Sequence, residues 1–350
     1  MKNKQDILVT LFYHGVDLDG WCSSALIEYF AQNLKQFEGK NIHFRFNEWN
    51  YGFKLFDKHY MNSDYIFMTD IVLHENDMIT LSESLENPEN FYVFDHHSTQ
   101  KDLVEKLKAD DIINKESICE SSNCATYHTF QWIEQNLEDE FSSHSESRIL
   151  NISTVINMVD LWDTHNYVQY VGKDDEMVEN VKNFKSYVES VDANVNCEDG
   201  RNLWHKLFDL ADDEEEFYIE LNTICTYGEI IKSAHIHQLN GLVPIYSFPA
   251  EFEGYKMICI NSLPSICSDY MNDWEKAKEY DLICTFYFNS RKSEWSFSFR
   301  KVDGASEDID LIPLFEKYNK IRSGGHKGAG SIRCKSFSYD FASKKLELLF

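Results

Sequence analysis

The sequence lacks any run approaching the eighteen or so apolar residues needed to cross a bilayer. It opens MKNKQDILVTLFYH, with no long apolar core followed by a small-residue cleavage site, so no signal peptide is expected. It is short of positive charge: 33 Lys and Arg stand against 59 Asp and Glu, a formal net charge of −26. A duplex nucleic-acid binder needs a basic face for the phosphates, and this composition argues against one. A small phosphorylated substrate stays open, because bound metal ions can reverse a local field. The nine cysteines include no CxxC pair and no regular spacing, which argues against a zinc site and for reduced thiols in a cytoplasm. What is present is an ordinary globular composition, 43% hydrophobic and 15% aromatic over 350 residues, a length that suggests two domains.

The most informative stretch is FYVFDHHST, residues 91–99. An apolar, strand-like run ends in Asp95, His96 and His97. A carboxylate beside two imidazoles suits metal chemistry, although a polar strand-to-loop corner has the same letters. Two more apolar runs end alike. Residues 7–13, ILVTLFY, read as a buried strand followed by His14, Gly15, Val16, Asp17, Leu18, Asp19 and Gly20. A helix should follow, with Ala25, Leu26, Tyr29, Phe30 and Leu34 at helical spacing and Ser23 or Ser24 as cap. His14, Asp17 and Asp19 then sit in a loop, the two acids pointing apart as if toward two centres; a plain D-x-D-G turn is the competing reading. Residues 65–69 form another strand ending in Asp70, a position often held by a solvated acid.

Residues 42–48 read as a further strand, and residues 77–88, 123–137 and 148–159 as helices. The last delivers Asp160, with Asp163 close by as a rival. The order of elements predicts a mostly parallel sheet flanked by helices, with sites outside the carboxyl ends of its strands. Residues 166–236 hold no usable motif. DDEEE at 212–216 reads as a solvated helix start, and His205, His235 and His237 as surface or core side chains. From about residue 241 the texture changes to strands: LVPIYSF, YKMICIN, DLICTFYF and EWSFSFRK. The last alternates Trp295, Phe297 and Phe299 with Ser296, Ser298 and Arg300. SGGHKGAGS, residues 323–331, can bring backbone N–H groups close to a phosphate, or be a flexible turn.

In this order HGVDLDG, the strand end at Asp70, DHH and Asp160 resemble the four motifs of the DHH phosphoesterase superfamily. SGGHKGAGS resembles the glycine-rich signature of its DHH-associated C-terminal domain, and Arg300 the strand arginine that precedes it. The subgroup most resembled is that of nano-RNase B-like oligoribonucleases and cyclic-nucleotide phosphodiesterases. The signature departs from the usual form, with Gly328 and a single Ala329 where two alanines are usual, and the middle third is uncovered.

The resemblance implies a DHH catalytic domain over residues 1–170, a helical connection over 171–238 and a smaller α/β substrate-binding domain over 239–350. It implies two divalent ions, manganese preferred, with magnesium or cobalt as substitutes. His14 and Asp17 would hold one ion, Asp19 the other, and Asp70 would bridge them; His96 and Asp160 would complete the second site. His97 would face the scissile phosphate and Asp95 would orient the histidines. Gly324, Gly325, His326 and Arg300 would hold the substrate's other phosphate or its base. The expected activity is hydrolysis of short oligonucleotides or dinucleotides to 5′-monophosphates, with no membrane partner; a homodimer is compatible with it. Rival readings are a 3′-phosphoadenosine phosphate phosphatase, a cyclic-nucleotide phosphodiesterase, and a nucleotide-binding sensor without catalysis.

Overall fold

A computed structural model describes residues 5–49, 62–137, 143–161, 175–261, 274–290, 292–302, 304–306, 309–318, 324–325 and 328–350. The chain divides into two compact units, the first running to Glu229 and the second from Ile230.

The first unit is built on β1 (Gln5–His14). It pairs in parallel with β2 (Lys40–Trp49) on one side and β3 (Tyr65–Thr69) on the other. β4 (Phe91–Asp95) and the two-residue β5 (Ile118–Cys119) follow, also parallel, giving the order β2-β1-β3-β4-β5. The chain leaves β1 toward β2 and returns to the other side with β3. That reversal opens a crevice beyond the carboxyl ends of β1 and β3, where ligands bind in sheets of this kind. His14 ends β1 and Asp70 follows β3 directly.

Both faces of the sheet are covered, which is why its strands read as unbroken apolar runs. Val9, Leu11, Tyr13, Phe67 and Phe94 pack on α1 (Leu18–Phe30), α4 (Ala125–Asn136) and α5 (Ser143–Leu161). Phe12, Ile66, Met68, Phe91 and Val93 pack on α2 (Glu75–Glu83) and α3 (Lys101–Ala109). The strand residues alternate between the two cores with the period of two that a strand imposes.

α6 (Asp175–Ser190), α7 (Glu198–Asp209) and α8 (Glu214–Tyr246) fall largely in the segment read as a helical connection. Up to Glu229 they belong to the first unit. Phe184, Val188, Trp204, Phe208, Phe217 and Ile224 share its core with β1 and α1. Trp204 is fully buried, and its indole N–H donates to the Ala193 carbonyl at 2.8 Å.

The second unit carries β6 (Ser247–Phe252), β7 (Tyr255–Asn261), β8 (Leu282–Asn289), β9 (Glu294–Lys301), β10 (Gly324–Gly325), β11 (Ala329–Cys334), β12 (Ser336–Asp340) and β13 (Lys345–Leu349) in one mixed sheet, ordered β10-β11-β9-β8-β7-β6-β13-β12. The run LVPIY, expected as strand, is instead the end of α8, and strand begins only at Ser247. Leu239 and Val243 lie one helical turn apart and bury together against Ile258 and Ile283, so the apolar residues there form a helix face. Phe297 and Phe299 enter the other core with α9 (Ile312–Tyr318), while Arg300 lies on the opposite face of β9.

Candidate metal centre

α1 begins earlier than its apolar spacing suggests. Asp17 is its N-cap, extended at φ −146°, with its carboxylate accepting from Gly20 N–H at 3.4 Å. Ser23 and Ser24 are therefore not caps. Ser23 Oγ donates to the Asp19 carbonyl at 2.6 Å, and Ser24 Oγ meets Thr69 Oγ1 at 3.1 Å. Asp19 lies inside the first turn and Asp17 just outside it in extended backbone, so the two acids do not share a helix face. Gly20 lets this turn sit on the end of β1: a Cβ there would lie 2.1 Å from the His14 carbonyl oxygen. Gly20→Ala should lower stability by about 2 kcal/mol and weaken manganese binding at least tenfold, measured by thermal melts and metal titration. Wild-type binding in that variant would show that the turn tolerates displacement.

Asp19 does two things. Its carboxylate accepts from Ala125 N–H at 2.8 Å and Thr126 N–H at 2.6 Å, the open N-terminus of α4. Thr126 Oγ1 donates back to the Asp19 carbonyl at 2.9 Å. Asp19 Oδ2 also lies 4.0 Å from His96 Nε2.

Asp70 is 1% exposed, the reverse of a solvated strand cap. Its backbone is left-handed, φ 57°, and its N–H continues the sheet by donating to the Phe94 carbonyl at 2.8 Å. A non-glycine residue in that region costs energy and persists where its surroundings impose it. The turn aims the carboxylate between two groups of side chains. Oδ2 lies 3.1 Å from His14 Nδ1, which is itself 2.9 Å from Asp17 Oδ2. Oδ1 lies 3.2 Å from His96 Nε2, which is 3.1 Å from Asp160 Oδ2.

Three sets of potential ligand atoms result, each set within 4.8 Å: His14, Asp17 and Asp70; Asp19, His96 and Asp160; and Asp70, His96 and His97. His97 Nδ1 lies 2.8 Å from Asp95 Oδ1 and 3.9 Å from Asp70 Oδ1. All eight residues singled out in the first half of the chain thus meet at one edge of the sheet. Asp163 and His326 lie outside the described residues. In the second unit, Arg300 pairs with Ala329 across β9 and β11, while Gly325 pairs with Gly330 and Gly324 with Ser331. Arg300 is thereby one strand away from the described part of the glycine-rich segment.

The residues present fit divalent cations. Donor atoms about 2.1 Å from one ion and at right angles stand about 3 Å apart, and the pairs above stand at 2.9–3.2 Å. Asp70 Oδ1 and Asp160 Oδ2 are buried and make no hydrogen bond among the described residues, although both lie within 3.2 Å of His96 Nε2; an unmade bond at such a group costs about 1–3 kcal/mol. Burial, and then the charges of Asp17 and Asp19, push the Asp70 carboxyl well above the usual range. Burial likewise pushes Asp160 up, with the charges of Asp19 and Asp70 adding to it against the pull of His96. Burial alone would lower His14, but the Asp17 and Asp70 carboxylates outweigh it and hold the imidazole well above its ordinary value. His96 is raised in the same way, against burial, by Asp160 and Asp19. Asp160 also sits in the last turn of α5, facing the negative end of that helix. A bound cation would relieve the crowding of the Asp70 and Asp160 carboxylates.

Comparison with known proteins bears on the fold. No protein-family model and no curated protein matches the chain. Among solved structures, the DHH domain of a protein described as a member of a family of ribosomal proteins superposes with a TM-score of 0.56 at 15% identity, over 93% of this chain and 82% of that one. The chain has the DHH fold. Two further similar structures are a pGpG-specific phosphodiesterase from Vibrio cholerae (TM-score 0.44, 13% identity, 94% of this chain and 93% of that one) and RecJ with Mn2+ from Thermus thermophilus (0.46, 14%, 93% and 49%). Gly20 and Thr126 also support the centre, and only Gly20 lay inside a motif visible in the sequence. Thr126 carries no local signal, because it acts on Asp19, far away in the chain.

Proposed function

We propose that the chain is a divalent-metal-dependent phosphodiesterase, manganese preferred, hydrolysing short oligonucleotides or dinucleotides to 5′-monophosphates. The observation that carries this reading is the buried carboxylate of Asp70, with one oxygen toward His14 and Asp17 and the other toward His96 and Asp160. His14, Asp17 and Asp70 would hold one ion; Asp19, His96, Asp160 and Asp70 would hold the second. Ions so placed supply an activated water and neutralise charge on the phosphoryl oxygens.

Carboxylate and imidazole donors suit manganese or magnesium, whereas zinc more often recruits thiolate. Cys22 and Cys124, near Asp19, are held as neutral thiols, because burial and then the Asp19 charge push their pKa well above the ordinary value. His97 would meet the phosphate, held by Asp95 in a fixed orientation. Arg300, Gly324, Gly325 and His326 would bind the remainder of the substrate. A net charge of −26 favours a short anion over a long one.

The test is a substrate panel with manganese: pApA, 3′-phosphoadenosine 5′-phosphate, cyclic AMP and cyclic dinucleotides. The expected result is release of AMP from pApA faster than turnover of the others. Faster turnover of the bisphosphate would make the protein a phosphatase. Nucleotide binding without turnover of any member would make it a sensor.

A further inference from the structure

Asp95 is fully buried at the end of β4, and both its oxygens are engaged. Oδ1 lies 2.8 Å from His97 Nδ1. Oδ2 lies 3.7 Å from Sγ of Cys119, which is also 3.7 Å from the His97 carbonyl oxygen. Cys119 is the register partner of Asp95 across β4 and β5, so both side chains leave the same face of the sheet. Burial and then the charge of Asp95 push the Cys119 thiol up, so it remains an S–H donor. At 2.8 Å a hydrogen lies between His97 Nδ1 and Asp95 Oδ1, which leaves Nε2 as the nitrogen that can meet a substrate.

We infer that Cys119 is a positioning residue: its S–H anchors the second oxygen of Asp95, which in turn fixes the tautomer and direction of the His97 ring. Plain core packing is the competing account, since Cys119 also belongs to the apolar cluster with Val93, Val104 and Ile113. The two accounts rank substitutions in opposite orders. Cys119→Val keeps an apolar side chain and removes the donor; Cys119→Ser keeps a donor and is more polar. Packing favours valine, and positioning favours serine.

The inference rests on the proposed phosphodiesterase reading only in its kinetic readout. The experiment is nitrogen-15 NMR of histidine-labelled protein, with the His97 signals assigned through His97→Asn, beside manganese-dependent kinetics on pApA. Wild type and Cys119→Ser should show His97 protonated on Nδ1. Cys119→Val should show a mixture of tautomers and a kcat lower by about 10- to 100-fold, with KM little changed. A wild-type tautomer and kcat in Cys119→Val, with Cys119→Ser the poorer variant, would overturn the inference. If Cys119→Val does not fold, Cys119→Ala removes the same donor and is read the same way. If the wild type turns over no substrate, the functional reading fails, and the spectra alone decide the role of Cys119.

Discussion

Asp70→Asn should lower manganese-dependent turnover of pApA by about three decades or more, a loss of about 4 kcal/mol in transition-state stabilisation. The same substitution should raise the melting temperature of the metal-free protein. Asn keeps the size of the side chain and tolerates the left-handed backbone, φ 57°, at least as well as Asp. It removes an ionisable carboxyl whose charged form burial and then the charges of Asp17 and Asp19 already disfavour. Losing about 1 kcal/mol of that conflict would add roughly 2–4 °C in a unit of this size. Opposite signs for activity and stability are the mark of a charge kept for function. A variant with wild-type turnover would defeat the assignment of Asp70 to two ions. A lower melting temperature with lost turnover would make Asp70 chiefly structural.

Manganese should raise the melting temperature of the wild-type protein, and a chelator should reverse the rise. At one hundred times the dissociation constant the gain is about 2.7 kcal/mol, roughly 5–10 °C at this size. The effect should fade in acid, and the sign follows from the protons that must leave. His14 and His96 bind metal only when neutral. Their pKa values in the metal-free protein are raised against burial by neighbouring carboxylates, Asp17 and Asp70 for the first and Asp160 and Asp19 for the second. Asp70 and Asp160 are raised as well, by burial before all else. Asp17 is the exception: burial pushes it up, but the charge of His14 brings it below its ordinary range, so it offers no competing proton. Protons therefore compete as pH falls, and the stabilisation should be half lost on the alkaline side of about 6.5, the ordinary imidazole value. Melts with and without manganese across that range measure it. A manganese effect that persists unchanged into acid would place the bound ion away from these histidines.

Much of the fold was legible because both faces of the first sheet are buried. Runs such as ILVTLFY and YIFMT then carry a signal that survives without knowledge of partners. The start of α1 was misplaced because its first turn is polar, Asp17, Asp19 and Gly20, and carries no apolar periodicity. The helical character of residues 242–246 was missed because a short apolar run has no period to separate helix from strand. The role of α6 and α7 was equally hidden: Trp204 reads as one apolar residue in a helix, and only packing shows that it fills the centre of the first unit.

The sequence by itself determined the chemistry of the centre: carboxylates and imidazoles, their order, and the strands whose carboxyl ends carry them. Tertiary structure alone decided how those groups share space. It turned Asp70 between two ligand sets, bound Asp19 to a helix start 106 residues away, and set Cys119 against Asp95. The reason is physical: donor type is a property of one residue, whereas distance between donors belongs to a packed chain and has no local code.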